Sequence, residues 1–244
     1  MGNGMDGQII KTTTPQGVLT SHLFGKGTTG VILYQDAFGP RPALFQMAQR
    51  IAGWGATVLV PDLFYRLGPY DFDARTAFGN DATRAQLMGM MKATTQAQTL
   101  ADGAVFLQVL TDAGVSGDVA VVGYCMGGAR ALNAAATYAD RVVAAASFHG
   151  GNLASDQPDS PHLKAGALKA QVYVGTAGVD NSFPPEQSAL LARALREAEV
   201  DHVIECYKGV SHGWTVPDSA VYDFDGSERH FRRLQALFSE ALLA

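Results

Sequence analysis

The chain has few of the features that mark secreted, membrane-spanning or nucleic-acid-binding proteins. Only two of its 244 residues are cysteines, Cys125 and Cys206, too few for a disulfide framework and without metal-binding spacing. Charged residues make up 17%, the net charge is −5, and no basic run occurs, which argues against nucleic acid or an anionic membrane as a partner. No apolar run reaches the roughly 20 residues that span a bilayer, and the N-terminus lacks a signal-peptide pattern. We therefore expect a cytoplasmic protein with neither partner.

Cofactor and metal motifs are also missing. A dinucleotide site needs a Gly-x-Gly-x-x-Gly segment after the first parallel strand, but the nearest candidate, residues 25–27 (GKG), comes before that strand. The six histidines and two cysteines form no zinc-type cluster. We therefore expect a protein that uses no cofactor and no metal.

Strands and helices alternate along the chain. The apolar patterns predict strands at 8–13, 18–24, 31–34, 57–60, 119–122, 142–148, 171–176 and 202–207, and helices at 42–52, 82–94, 96–113, 128–135, 184–198 and 227–242. The first two strands form a hairpin, and the others are continuously apolar, which indicates a mainly parallel sheet with helices on both faces. We expect one α/β domain over residues 1–244, because no linker or repeat divides the chain.

The segment 123–127 (GYCMG) places a thiol between a predicted strand and a predicted helix. So sharp a turn leaves room only for small residues two positions before and after the nucleophile, and glycine occupies both. This pattern is the nucleophile elbow of α/β-hydrolases, with Cys125 in place of serine. The helix that follows would direct its first backbone amides at the substrate and favour a thiolate or an oxyanion.

A base and an acid follow the nucleophile in the order that this fold uses. Asp180 comes just after the strand at 171–176, and His212 lies in the loop after the strand at 202–207. Both loops are expected at the carboxyl edge of the sheet, where such proteins bind ligands. Asp180 could alternatively cap the helix that begins near Pro184, and His212 could donate to backbone. The order of the three residues favours a Cys125–His212–Asp180 triad.

Two further residues have simpler interpretations. His149 ends the strand at 142–148 and fits a structural hydrogen bond better than a catalytic role. Cys206 alternates with Ile204 in a strand, which predicts a small buried apolar side chain.

Several motifs together resemble the dienelactone hydrolase family of cysteine α/β-hydrolases. They are GYCMGG at 123–128, GVD at 178–180, SHGW at 211–214, YQDAFG at 34–39 and PDLFYR at 61–66, and the similarity runs from about residue 18 to 243. The resemblance implies hydrolysis of an enol-lactone or related ester through a thiol-acyl enzyme. It also implies Cys125, His212 and Asp180 as catalytic residues and an oxyanion hole from the backbone amides of Ala37 and Met126.

The resemblance also implies residues that recognise the substrate, with departures. Asp36 stands where well-known members carry a glutamate thought to help ionise the thiol, although it could simply cap the following turn. Arg84 resembles the first of two arginines that hold a substrate carboxylate, although it could instead bridge Asp81. The second arginine is replaced by Val216.

The remaining pocket assignments are apolar. We assign Phe38, Met88 and Trp214 to the substrate site, with Met91 beside Met88, although methionines at this spacing also suit ordinary helix packing. A pocket of this kind should be less selective for anions than that of a dienelactone specialist. We therefore expect a small lactone or ester as substrate and a monomer or small homo-oligomer. A broad small-ester or thioester hydrolase, an acyltransferase and a non-catalytic ligand-binding relative are the alternatives.

Overall fold

The computed structural model describes residues 7–242, so the signal-peptide prediction for the first residues and the ends of the predicted 1–244 domain lie outside it. The described strands are β1 (Gln8–Thr14), β2 (Gly17–Phe24), β3 (Gly30–Tyr34), β4 (Thr57–Pro61), β5 (Val119–Tyr124), β6 (Val142–Phe148), β7 (Gln171–Val179) and β8 (His202–Ser211). The described α-helices are α1 (Pro42–Ala52), α2 (Asp81–Ala93), α3 (Gln96–Asp112), α4 (Met126–Thr137), α5 (Pro185–Glu197) and α6 (Phe224–Leu242).

All eight described strands belong to one sheet with the order β1-β2-β4-β3-β5-β6-β7-β8. The pairs β1–β2 and β2–β4 are antiparallel, and every other neighbouring pair is parallel. The predicted α/β architecture with an N-terminal hairpin is confirmed.

Helices cover both faces of the sheet. The alternation of strand side chains is clear in β3, where Val31 and Leu33 join the cluster that includes α1 and α6, while Ile32 and Tyr34 join the cluster that includes α3, α4 and α5. Because the central strands are buried on both sides, their sequences are apolar without a break. None of the described helices is long and apolar enough to cross a membrane.

The strand order reverses between β3 and β5. From β3 the chain first moves outward to β4 and then returns to form β5 on the opposite side. Loops leaving the carboxyl ends of strands on either side of such a point diverge and leave a crevice. The loop after β3 and the nucleophile segment after β5 therefore lie beside each other.

The two strands that precede the candidate acid and base are longer than the apolar pattern predicts. Both β7 and β8 continue past a bulge in their pairing near Ala177 and Val179. Pairing between the two strands holds these extensions in the sheet, and Ala177 and Val210 also pack in the core cluster that includes α6. Asp180 and His212 consequently follow directly after paired strand residues and are anchored by them.

Candidate active site

The turn between β5 and α4 is too crowded for any side chain at its two flanking positions. A Cβ at Gly123 would lie 1.9 Å from the carbonyl oxygen of Gly127. A Cβ at Gly127 would lie 2.4 Å from the carbonyl oxygen of Tyr34. Both separations are well inside van der Waals contact, which accounts for glycine on each side of Cys125.

Cys125 itself has a strained backbone. Its φ of 54° and ψ of −118° are unusual for a residue with a side chain, and such conformations concentrate at functional sites. The residue stands immediately before α4, so the positive end of that helix faces the thiol. The predicted elbow is therefore present in backbone geometry as well as in sequence.

The close approach at Gly127 brings the loop after β3 against the start of α4. A Cβ at Gly127 would lie 2.5 Å from the carbonyl oxygen of Gln35, in addition to its close approach to the carbonyl oxygen of Tyr34. Ala37, two residues further on, is buried. The backbone segments of Ala37 and Met126, assigned from sequence to an oxyanion hole, thus flank the same crevice.

The structure brings Asp180, His212 and Cys125 together at the carboxyl edge of the sheet. Nδ1 of His212 lies 2.8 Å from Oδ2 of Asp180, and the side chains of His212 and Cys125 line the same cavity. Oδ1 of Asp180 accepts the backbone N–H of Ser182 at 2.8 Å, which holds the carboxylate in place. The capping interaction considered from sequence and the contact with His212 therefore use different oxygens of Asp180.

These contacts change the protonation of His212. Burial alone would lower its pKa, but the hydrogen bond to the Asp180 carboxylate and the proximity of Cys125 raise the pKa to about 10. An imidazolium is therefore the stable form of His212 near neutral pH.

His149 lies next to His212 and forms hydrogen bonds through both of its ring nitrogens. The backbone N–H of Cys125 donates to Nδ1 of His149 at 3.1 Å, so that nitrogen carries no proton. Nε2 then carries it and lies 2.8 Å from Oγ1 of Thr215. Burial and the nearby His212 and His230 lower the pKa of His149 well below its usual value, so the ring is neutral.

Asp36 forms a buried ion pair beside the crevice. Both of its carboxylate oxygens accept from Arg41, at 2.7 and 2.9 Å, and Oδ1 also accepts the backbone N–H of Phe38 at 3.0 Å. Arg41 pairs in the same bidentate way with Asp218, at 2.7 and 2.8 Å. Arg41 thereby joins the loop after β3 to the loop that contains His212.

A cavity of about 610 Å³ opens next to Cys125. Its walls come from the start of α4, the connection between α2 and α3, the 151–161 segment, Ser182 and His212. The volume falls in the range of small-molecule sites. Within residues 7–242, no group of three or more His, Cys, Asp or Glu side chains is arranged to hold a metal ion.

Comparison with known proteins decides the family. The family model described as "Dienelactone hydrolase family" matches residues 20–242, which is most of the chain. The chain belongs to the dienelactone hydrolase family. This membership makes it a hydrolase that acts on carboxylic ester or lactone bonds.

Individual relatives share moderate identity with this family member. The carboxymethylenebutenolidase of Rhodococcus opacus is 28% identical over 191 residues, covering 78% of this chain and 71% of the relative. That of a Pseudomonas species is 33% identical over 114 residues, covering 46% of each. A dienelactone hydrolase-like promiscuous phosphotriesterase from metagenomic libraries has the same fold, with a TM-score of 0.77, 23% identity and coverage of 96% and 98% of the two chains.

The substrate residues assigned from sequence lie in varied places. Arg84 pairs with Asp81, and its side chain is 53% exposed. Met88 is 52% exposed. Among the described residues, neither Arg84 nor Met88 lines the cavity at Cys125, whereas Met91 does. Phe38 packs on the same small apolar cluster as Cys125. Trp214 has no exposed surface and packs against His149, behind the cavity rather than in it.

The structure explains one departure from the family pattern and corrects one prediction. Val216, at the position of a second family arginine, is buried in the core under α6 and does not face the cavity, so an arginine there would bury a charge. Cys206 is exposed rather than buried. It lies on β8, an edge strand of the sheet whose residues are mostly exposed or half-buried.

Sequence reasoning did not identify the roles of Arg41, Asp218 and Arg130. Arg41 and Asp218 are 177 residues apart, and their pairing has no local signal. Arg130 lies within the apolar helical segment that follows the elbow, and a charged residue in that segment was the sequence signal for its role.

Proposed function

We propose that the protein hydrolyses a lactone or small ester of the dienelactone type through a thiol-acyl enzyme formed on Cys125. The observation that carries the proposal is the hydrogen bond of His212 to Asp180 at the cavity that His212 lines together with Cys125. A thiol beside an imidazolium loses its proton readily, and the thiolate is the reactive form.

The first step is attack on the carbonyl. The sulfur of Cys125 forms a bond to the carbonyl carbon, and the carbonyl electron pair moves to oxygen. The backbone amides of Ala37 and Met126 receive this oxyanion. When the tetrahedral intermediate collapses, the carbon–oxygen bond of the ester breaks and His212 gives its proton to the leaving oxygen.

The second step releases the product. His212, now neutral, takes a proton from water while the water oxygen attacks the thioester carbonyl. The carbon–sulfur bond breaks, the carboxylic acid leaves, and the thiolate–imidazolium pair returns. Asp180 holds the ring with Nδ1 protonated, so that Nε2 serves both proton transfers. Good leaving groups such as enols suit a thiol nucleophile.

The two cysteines provide a matched test. Hydrolysis of p-nitrophenyl acetate and of an exocyclic enol-lactone is measured for the wild type, Cys125→Ala and Cys206→Ala. We expect Cys125→Ala to abolish turnover and Cys206→Ala to retain it, because Cys206 lies on the outer strand. Circular dichroism verifies that each variant is folded. Turnover by a folded Cys125→Ala variant would refute the proposal.

A further inference from the structure

Arg130 is a buried cation in the wall of the cavity that contains the proposed nucleophile. Its residue surface is only 6% exposed, yet it lines the cavity together with Cys125, Met126 and His212. Arginine is rarely buried unless a carboxylate or another anion neutralises it. The environment of this side chain therefore needs an explanation.

The protein contacts of Arg130 are neutral and incomplete. One terminal nitrogen donates to Oγ1 of Thr99 at 2.9 Å, and the other to the carbonyl oxygen of Thr94 at 2.5 Å. Nε is buried without an acceptor. Two of the five N–H groups of the guanidinium are thus bonded, and within residues 7–242 no carboxylate pairs with it directly.

Nearby charges do not fully offset the cation. Asp159 also lines the cavity and acts on Arg130 only at longer range, and Lys92 contributes a second positive charge. Burial outweighs the influence of Asp159 and lowers the pKa of Arg130 to about 10, so the side chain is still charged at neutral pH. Besides His212, the described cavity lining thus contains two cations, Arg130 and Lys92, and one carboxylate, Asp159.

The position of Arg130 on α4 relates it to the reacting carbonyl. It follows Met126, which supplies an oxyanion amide in the proposed mechanism, by four residues, so both lie on one face of the helix. The separation along the helix axis is about 6 Å. A short acyl chain whose carbonyl lies at Met126 would bring a group at its far end to the guanidinium.

We propose that Arg130 binds a carboxylate at the far end of the substrate's acyl chain, and that it, rather than Arg84, sets selectivity for acidic substrates. This inference rests on the proposed ester hydrolysis at Cys125. It revises the expectation of a pocket with little anion selectivity. Arg84 lies outside the cavity lining and is already paired with Asp81, whereas Arg130 lies inside it with unused donors.

The test compares acidic with neutral esters of matched length. Mono-p-nitrophenyl esters of glutarate and adipate are each paired with the neutral p-nitrophenyl ester of the same chain length, and the ratio of kcat/KM is measured. For the wild type we expect a ratio above one that falls as salt is added, because salt screens the attraction. A wild-type ratio at or below one for both lengths overturns the inference without any variant.

Substitutions then locate the cation. Arg130→Gln should lower the ratio by about ten- to a hundred-fold, the value of a charge-assisted hydrogen bond, and Arg130→Lys should restore part of it. Arg193 is an exposed arginine on α5, away from the cavity. The Arg193→Gln variant therefore controls for the change in net charge and should keep the wild-type ratio. A ratio that falls in Arg84→Gln and not in Arg130→Gln would contradict the assignment.

The outcome separates this inference from the proposed function. If the wild type hydrolyses neither ester of a pair, the proposed function itself fails. If it hydrolyses the neutral ester and the ratio is unaffected by Arg130, only the carboxylate site is refuted. Should Arg130→Gln fail to fold, the wild-type ratio and its salt dependence still decide.

Discussion

The ends of β6 and β8 each bring a histidine close to Cys125, and the two rings lie 5.1 Å apart, with His212 lining the cavity and His149 behind it. His212, after β8, is hydrogen-bonded to the carboxylate of Asp180 and lies near Cys125, and both groups raise its pKa to about 10. His149, after β6, is fully enclosed and bonded to a backbone amide and a hydroxyl, and burial lowers its pKa. Neighbouring groups rather than residue type therefore make one ring a charged proton carrier and the other a neutral support.

The largest loss of activity should follow from replacing His212, the charged ring. His212→Gln keeps a polar side chain but no group that transfers protons. We expect kcat/KM for p-nitrophenyl acetate to fall by about 10⁴-fold, the upper end of the contribution of general acid–base catalysis. Steady-state kinetics measure this, with circular dichroism as the control. A loss no larger than that of His149→Gln would remove the distinction between the two histidines.

Removing the partner of the charged ring should have a smaller effect. Asp180→Asn keeps an acceptor for the backbone N–H of Ser182 but loses the negative charge beside Nδ1 of His212. We expect kcat/KM to fall by about 10²-fold or more, because the ring loses its fixed tautomer and its charged form is destabilised. The alkaline limb of the pH–rate profile should also move to lower pH. An unchanged profile would show that Asp180 only supports the loop.

Substitution of His149 should lower activity less than substitution of His212 or Asp180, because His149 acts only by positioning Cys125. His149→Phe removes one of the two acceptors of the Cys125 backbone N–H, the other being the carbonyl oxygen of Phe148, whereas His149→Gln offers an oxygen in its place. We expect about a tenfold lower kcat/KM and a lower Tm for the Phe variant, because the side chain loses its buried hydrogen bonds to the backbone of Cys125 and to Thr215, with partial recovery in the Gln variant. Equal kinetics and Tm for the two variants would contradict this role.

The two histidines should also affect stability at opposite ends of the pH range. Because folding raises the pKa of His212, its stabilising contribution is complete below the ordinary histidine pKa of about 6.5 and is lost as pH rises through about 10. Because folding lowers the pKa of His149, its contribution is present above about 6.5 and is lost as pH falls. Urea unfolding of the wild type and of each Gln variant across this range measures both trends. Parallel pH dependence in the two variants would refute the opposite assignments.

The smallest effect is expected at Asp36. Asp36→Asn retains an acceptor for Phe38, and Arg41 keeps its paired bonds to Asp218, so we expect a three- to tenfold slower acylation, about the value of one hydrogen bond. Stopped-flow release of p-nitrophenol measures it, together with iodoacetamide reactivity in the presence of a substrate analogue. A loss of about a hundred-fold with a less reactive thiol would instead support direct activation of Cys125 by Asp36.

Local signals were sufficient for much of the fold and for the order of the proposed catalytic residues. Helix α1 and strand β6 have the predicted bounds, because proline at a helix start and an unbroken apolar run are properties of the segment itself. The extensions of β7 and β8 have no such signal, since pairing between the two strands creates them.

Side-chain roles that depend on distant packing were harder to predict. Trp214 follows His212 closely in sequence, which favoured a pocket position, but its ring is enclosed by Tyr207 and His149. The bond of Arg130 to Thr94 joins α4 to the connection between α2 and α3, 36 residues earlier in the chain. Sequence spacing indicated which strand ends meet, but not which side chains fill the cavity between them.

The most direct measurement of the central claim is the mass of the enzyme during turnover. The wild type and Cys206→Ala are mixed with p-nitrophenyl acetate, quenched in acid, digested and analysed by mass spectrometry. The account predicts one acetyl group on the peptide that contains Cys125 in both proteins, and none in Cys125→Ala. Turnover with acetyl found elsewhere, or with Cys125 never acylated, would contradict it.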